Sequence, residues 1–305
     1  MIGWREAWDE ALYGDEGFYR RESPVAHFRT SVHASTAFAA AVLAYARSRD
    51  LHTVVDMGAG RGELLTALEA MAPGELTLVG VEVRPRPDEL PAGIGWSAEA
   101  PAHIDGLLLA NELLDNVPCE VVERDPDGVL RTVLVDRATG AERLGDPVRN
   151  PGTLEWLDTW WPLREPGERA EVGASRDAVW REAVSRLDHG AAIAVDYGHL
   201  AADRPPYGSL RAYRDGAEVD VVPDGSCDVT AHVAVDAVAA AVGGTVARQR
   251  DVLRDLGVDG TRPPLALASS DPQAYLRALV AASEAAELTA SGGLGDFWWV
   301  ITSVE

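Results

Sequence analysis

The run Thr53-Val54-Val55-Asp56-Met57-Gly58-Ala59-Gly60-Arg61-Gly62 limits this chain more than any other stretch. A β-branched run stops at a glycine, and Glu63 to Met71 then resumes helical spacing through Leu64, Leu65, Leu68 and Met71. The pattern is strand, glycine turn, helix. Glycines at alternate positions let the backbone turn tightly and approach a ligand with no Cβ in the way. The N–H groups that open the following helix make a polar cradle.

The same alternation continues on both sides. Residues 36–49 are alanine-rich and read as a helix that starts at Ser35 or Thr36. Strands are expected at Leu76–Glu82, Gly106–Ala110 and Ala191–Asp196, with Gly244–Arg248 and Trp298–Val304 closing the sheet as an antiparallel edge. Strands alternating with helices predict an α/β fold whose sheet is mostly parallel and covered on both faces. Between about Arg124 and Arg186 the alternation breaks, which suggests an inserted substrate or lid region. There Trp156 and Trp160 share a helix face, and they pack the insertion onto the core or else contact substrate directly. The expected division is a helical segment over 1–50 that contributes to the pocket, a cofactor-binding half over 51–123, the insertion over 124–186, and the rest of the core over 187–305.

Charge narrows the partners. All 27 basic residues are Arg, against 49 acidic ones, for a formal net charge of −22. Phosphate backbones are bound largely through cationic side chains, so nucleic acid is disfavoured, whereas a cationic segment would be steered toward this surface. Cys119 and Cys227 form neither a zinc spacing nor a redox pair, so both read as reduced, and no metal is expected. The N-terminus lacks a basic start followed by an apolar run, and no stretch reaches the length of a membrane span. A cytoplasmic protein is the expectation, with oligomeric state left open.

The glycine loop carries chemistry by what it lacks. A nicotinamide or flavin fingerprint needs glycine at the sixth position counted from Gly58, and that position is Glu63. Asp56, just before the glycines, would repel a pyrophosphate yet could organise an amino-acid or sulfonium group. Glu82 ends the next strand, where a carboxylate can accept both hydroxyls of a ribose. Asn111, Glu112 and Asp115 follow a buried strand, at the sheet end where α/β proteins bind ligands. Alternatively Asn111 caps a helix whose first turn carries the two acids.

The ordered motifs Tyr13–Tyr19, Phe28–Ser31, the loop Gly58–Gly62, Ala110–Pro118, Val195–His199, Leu210–Arg214 and Asp228–Val233 together resemble the MidA-like family of class I S-adenosylmethionine-dependent methyltransferases, which includes the mitochondrial complex I assembly arginine methyltransferase. Ala26-His27, Val32 and Ala234-Val235 depart from that pattern. The resemblance implies S-adenosyl-L-methionine as cofactor, held by Asp56, Gly58, Gly60, Gly62, Glu82 and Asn111. It implies a substrate pocket shaped by Thr30, Ser31, Asp196, Tyr197 and His199. Glu112 and Asp115 become candidates to clamp an arginine guanidinium, and His199 and His232 candidates to take its proton. Asp196, at a strand end, either braces the pocket or touches substrate. Beside a protein arginine acceptor stand a small-molecule acceptor and a non-catalytic assembly protein that keeps the fold.

Overall fold

The glycine turn sits inside a seven-stranded sheet in the computed structural model, which describes residues 1–21, 36–258 and 260–305. Its strands are β1 (Thr53–Met57), β2 (Thr77–Val81), β3 (Gly95–Ser97), β4 (Ile104–Asn111), β5 (Leu187–Asp196), β6 (Thr245–Arg248) and β7 (Trp298–Val304). Their order across the sheet is β3-β2-β1-β4-β5-β7-β6. The pairings β3·β2, β2·β1, β1·β4 and β4·β5 are parallel, and β6·β7 is antiparallel. The sheet is therefore mostly parallel with an antiparallel end, as the alternation predicted. Because the chain leaves β1 first for β2 and β3 and then returns to β1's other side as β4, the strand order reverses beside β1. Ligands of open α/β sheets bind at that reversal, outside the strand carboxyl ends.

The chain divides into two compact units. One contains the sheet: residues from Thr36 to Glu112, Arg186–Val195 and Thr245–Glu305. Its core joins Phe38, Val42 and Leu43 of helix Thr36–Ser48 to Leu64, Leu65 and Leu68 of helix Glu63–Met71, with Leu107, Ile193 and Trp299 from the sheet. Helix Pro272–Leu288 packs through Ala282, Ala285 and Leu288 and leaves Leu276 and Val280 exposed. Packing on its own unit is thus the role of that helix's C-terminal half.

The other unit comprises the N-terminal segment, Leu113–Ser185 and Asp196–Gly244. Its main sheet is antiparallel: Glu120–Arg124 pairs with Leu130–Val135 and with Arg169–Val172, while Ile2–Gly3 and Glu142–Pro147 also pair with Leu130–Val135. Trp4, Trp8 and Leu12 of helix Trp4–Tyr13 pack against Val121, Val133 and Val229. Trp156, on helix Pro151–Trp160, packs with Leu157, Trp161, Val172 and Ala237 and donates its indole N–H to Asp177 at 2.7 Å.

This division differs from the sequence expectation. The broken alternation over 124–186 is the middle of a unit that also takes 113–123, most of 196–244 and the N-terminal helices. Local periodicity cannot show that, because the strands and helices that complete the unit come from distant segments. No helix among the described residues is long and apolar enough to cross a membrane.

Close strand packing rests on two glycines. Gly190 of β5 (φ 124°) lies in register with Gly106 of β4 (φ 153°), and a Cβ at Gly190 would lie 2.0 Å from the Gly106 carbonyl oxygen. Gly190→Ala should cost about 3 kcal/mol in urea unfolding, through a steric clash added to backbone strain. An unchanged urea midpoint would show that β4 and β5 can separate freely.

Candidate functional site

In the sheet unit, β1 ends in the glycine loop. Gly58, Gly60 and Gly62 all take left-handed φ values (71°, 61° and 81°) that disfavour any side chain. The loop is anchored by Gly58 and Ala59 N–H donating to the Val81 carbonyl at 2.9 and 3.2 Å. Gly62 is also sterically required, since a Cβ there would lie 2.4 Å from Leu90 Cδ1. Gly60 is not: a Cβ there would meet only the Glu63 carboxylate, at 3.2 Å, so its side facing away from the core is open.

Glu82, just past β2, reaches this loop. Its Oε2 accepts the Gly60 N–H at 3.1 Å and its Oε1 accepts the Arg84 N–H at 3.2 Å. Each carboxylate oxygen has a second lone pair for another donor. Asp56 is buried behind the glycines. Burial first, and then the charges of Glu63 and Glu82, push its carboxyl from 3.8 up to about 8.

Asn111 ends β4. Its amide donates to Glu112 Oε1 at 3.1 Å, and its Oδ1 is buried with no partner among the described residues. Glu112 holds φ 50°, a left-handed value rare for a non-glycine residue. Its N–H donates to the Val195 carbonyl at 2.8 Å, which keeps it in the sheet unit. Asn111 is therefore a strand residue, not the cap of a regular helix.

The other unit has its own buried polar cluster, built on the short 3₁₀ turn Leu114–Asn116. Asp196 Oδ2 accepts the Leu114 and Asp115 N–H groups at 2.9 and 3.1 Å, and Oδ1 accepts that of Tyr197 at 3.0 Å. Asp196 thus braces the turn. Asp115 is buried; its Oδ2 accepts the hydroxyls of Tyr197 and, at 2.7 Å, Thr230, while Oδ1 has no partner among the described residues. Burial raises its carboxyl above the usual range, against the pull of those hydroxyls and of the Arg176 cation. Nearby Asp228 accepts from Tyr19 Oη at 2.9 Å and Asn116 Nδ2 at 3.0 Å, and burial followed by the Asp115 charge pushes it well above the carboxylate range.

Arg176 is fully buried, and no carboxylate among the described residues is bonded to it. It donates to the carbonyls of Asp115 (2.7 Å), His232 (2.8 Å) and Val117 (3.3 Å), with its guanidinium carbon 5.7 Å from the Trp8 ring centroid. His232 is an exposed ring lying edge-on to Tyr197, centroids 5.3 Å apart. His199 is buried, and burial and the Arg204 cation lower it to about 3, so it is neutral throughout the physiological range and unsuited to take a proton.

The structure thus gathers Asp56, the three glycines, Glu82, Asn111 and Glu112 in one unit, and Asp115, Asp196, Tyr197, His199 and His232 in the other. Thr30 and Ser31 lie outside the described residues. Thr230, Asp228 and Tyr19 fall within resemblance motifs but were not singled out. Arg176 and Arg204 carry no sequence signal, because a buried arginine and a surface one look alike in a chain whose basic residues are all Arg. No group of side chains able to hold a metal ion occurs among the described residues.

Comparison with known proteins places this geometry. Residues 36–251 match the model of a family described as "Putative S-adenosyl-L-methionine-dependent methyltransferase". A crystal structure of a Burkholderia thailandensis protein bound to S-adenosyl-homocysteine superposes with a TM-score of 0.81 at 23% identity, covering 99% of this chain and 88% of that one. A native crystal structure of a protein from the same superfamily and organism gives 0.79 at 23% identity, over 99% and 87%. These likenesses establish the fold. No curated protein matches the sequence.

The Asp56 shift has a stability consequence. Its folded value lies above the unfolded one, so the folded protein holds a proton that the unfolded chain releases. That contribution is complete below the unfolded value of 3.8 and is lost as pH rises toward about 8. Asp56→Asn should therefore flatten the fall in stability between about pH 5 and about pH 8 by up to about 3 kcal/mol in urea titrations. Parallel curves for the variant and the parent would show that Asp56 is ionised in the folded protein.

Proposed function

Because the chain belongs to the S-adenosyl-L-methionine-dependent methyltransferase family whose model spans residues 36–251, we propose that the loop Gly58–Gly62 with Asp56, Glu82 and Asn111 holds the cofactor, and that the acceptor is an arginine side chain. The carrying observation is the glycine cradle with Glu82 bonded to Gly60 N–H and spare lone pairs beside it. The residues suit the cofactor's chemistry. Glu82 would accept from the ribose hydroxyls, and the buried, unpartnered Asn111 Oδ1 would accept from the ammonium of the methionine moiety. A cation close to Asp56 would favour its ionised form. The open side of Gly60 leaves the loop accessible.

When bound, S-adenosyl-L-methionine supplies a methyl group on a sulfonium for in-line displacement. The protein's part is then to align the acceptor and exclude water. Asp115 supports an arginine acceptor: it is a buried carboxylate with no salt bridge among the described residues, and its Oδ1 has no partner among them, which suits a guanidinium N–H. Glu112, held at a left-handed φ at the strand end, is a second candidate; such strain clusters at functional positions. The MidA-like resemblance points to the same acceptor. The departures Ala26-His27, Val32 and Ala234-Val235 leave room for a different arginine-bearing partner.

Calorimetric titration with S-adenosyl-L-methionine and S-adenosyl-homocysteine should give micromolar binding that Gly60→Arg abolishes. Absence of binding by the folded parent would favour an assembly protein that has kept only the fold. With labelled methyl donor and arginine-bearing peptides, Asp115→Asn and Glu112→Gln should each lower turnover about 100-fold while changing S-adenosyl-homocysteine affinity less than about threefold. Since Asp115 must be ionised to hold a guanidinium, turnover should rise with pH through its elevated pKa. Methyl transfer to small molecules but not peptides would replace arginine as the acceptor.

A further inference from the structure

We infer that Arg204 locks His199 in the Nε2–H tautomer, and that this fixed N–H is a hydrogen-bond donor to a carbonyl or carboxylate oxygen of the methyl acceptor. The inference rests on the reading that this unit's polar cluster takes the acceptor.

The tautomer follows from Arg204. Its Nη1 lies 2.7 Å from His199 Nδ1 and donates to the His199 carbonyl at 2.9 Å. A guanidinium has donors only, so Nδ1 must present its lone pair, and the ring proton of neutral imidazole then sits on Nε2. Arg204 is itself held: Nε donates to the Trp160 carbonyl at 2.9 Å and Nη2 to Asp236 at 2.5 Å. Its guanidinium carbon is 5.6 Å from the Trp161 ring centroid. The His199 ring meets Trp161 edge-on, with centroids 4.6 Å apart, and its backbone pairs in register with Ala234. Ring position and proton position are both set.

The N–H so defined meets no acceptor among the described residues. His199 is 95% buried by its 5% exposure, and Nε2 has no partner among the described residues. Leaving a buried donor unsatisfied costs about 1–3 kcal/mol, so a donor held this firmly fits a ligand atom better than accident does. The ligand atom must carry a lone pair. The cations facing the ring, Arg204 and Arg176, make an electron-rich oxygen the favoured type, while His232, the other titratable group beside it, is a ring 6.2 Å away. The next ring along from His232 is Tyr197, whose hydroxyl bonds Asp115. An acceptor with a donor for Asp115 Oδ1 and an oxygen for His199 Nε2 would use both unpartnered atoms, and a peptide arginine with its main-chain carbonyl offers both.

The test uses ¹⁵N-histidine-labelled full chain saturated with S-adenosyl-homocysteine, with His199→Phe to assign the resonance. His199 should show a protonated Nε2 and a bare Nδ1 unchanged from about pH 5 to about pH 8, and Arg204→Leu should let the proton divide between Nδ1 and Nε2 and raise the pKa, with burial still holding it below the ordinary value of about 6.5. Titration with N-methylacetamide, and separately with acetate, should shift the Hε2 resonance, with the preferred probe telling carbonyl from carboxylate. Binding of the preferred probe should weaken about tenfold in His199→Phe and be kept in His199→Gln, whose amide places an N–H near Nε2. A protonated Nδ1, or an Hε2 resonance that neither probe moves, overturns the inference. The wild-type tautomer decides even if a variant fails to fold. Absence of S-adenosyl-homocysteine binding would count against the methyltransferase reading alone.

Discussion

A buried turn must have its backbone polar groups satisfied, and Leu113–Val117 meets this demand with one anion and one cation. Asp196 accepts the N–H groups of Leu114 and Asp115, while Arg176 takes the carbonyls of Asp115 and Val117. Both charges act as caps and not as an ion pair with each other. Removing either would strand several polar groups in a dry interior, a larger loss than that of one hydrogen bond. Asp115 is held in place by this arrangement. Through the His232 carbonyl and the Trp8 face, Arg176 also ties the turn to the Asp228–His232 segment and to the N-terminal helix.

The sheet unit solves a different problem, which is how to bring backbone close to a ligand. Three left-handed glycines shape a loop pinned to β2, in which the Gly58 N–H goes to the Val81 carbonyl, that of Gly60 to Glu82 and that of Gly62 to the Ala59 carbonyl. Glu82 is engaged with the Gly60 N–H, so the loop and its carboxylate form one preorganised element. Preorganisation lowers the entropic cost of binding, which is the physical advantage of building the cradle at strand ends.

Electrostatically the molecule concentrates buried carboxylates. Asp56, Asp115 and Asp228 are all raised by burial; hydroxyls oppose the shift at Asp115 and Asp228, whereas at Asp56 the charges of Glu63 and Glu82 add to it. Carboxyl groups in such settings change their charge readily when a cation arrives. His199 shows the complement: a histidine kept neutral, so that it donates and does not titrate.

By itself the sequence determined the strand, glycine turn and helix at 53–71 and the parallel α/β sheet with an antiparallel end. All of these are local: hydrophobic period, glycine spacing and strand-end position are written within short windows. Only the tertiary structure decided that 113–185 and 196–244 fold together with the N-terminal helices, that Asp196 accepts the Leu114 and Asp115 N–H groups, that Asn111 ends a strand, and that Arg204 donates to His199 Nδ1. Each of these depends on partners far away in the chain, such as Arg176 with Asp115 or Thr230 with Asp115, and on which polar groups lose water. Burial and long-range pairing are properties of the packed chain, and no spacing of residues along it records them.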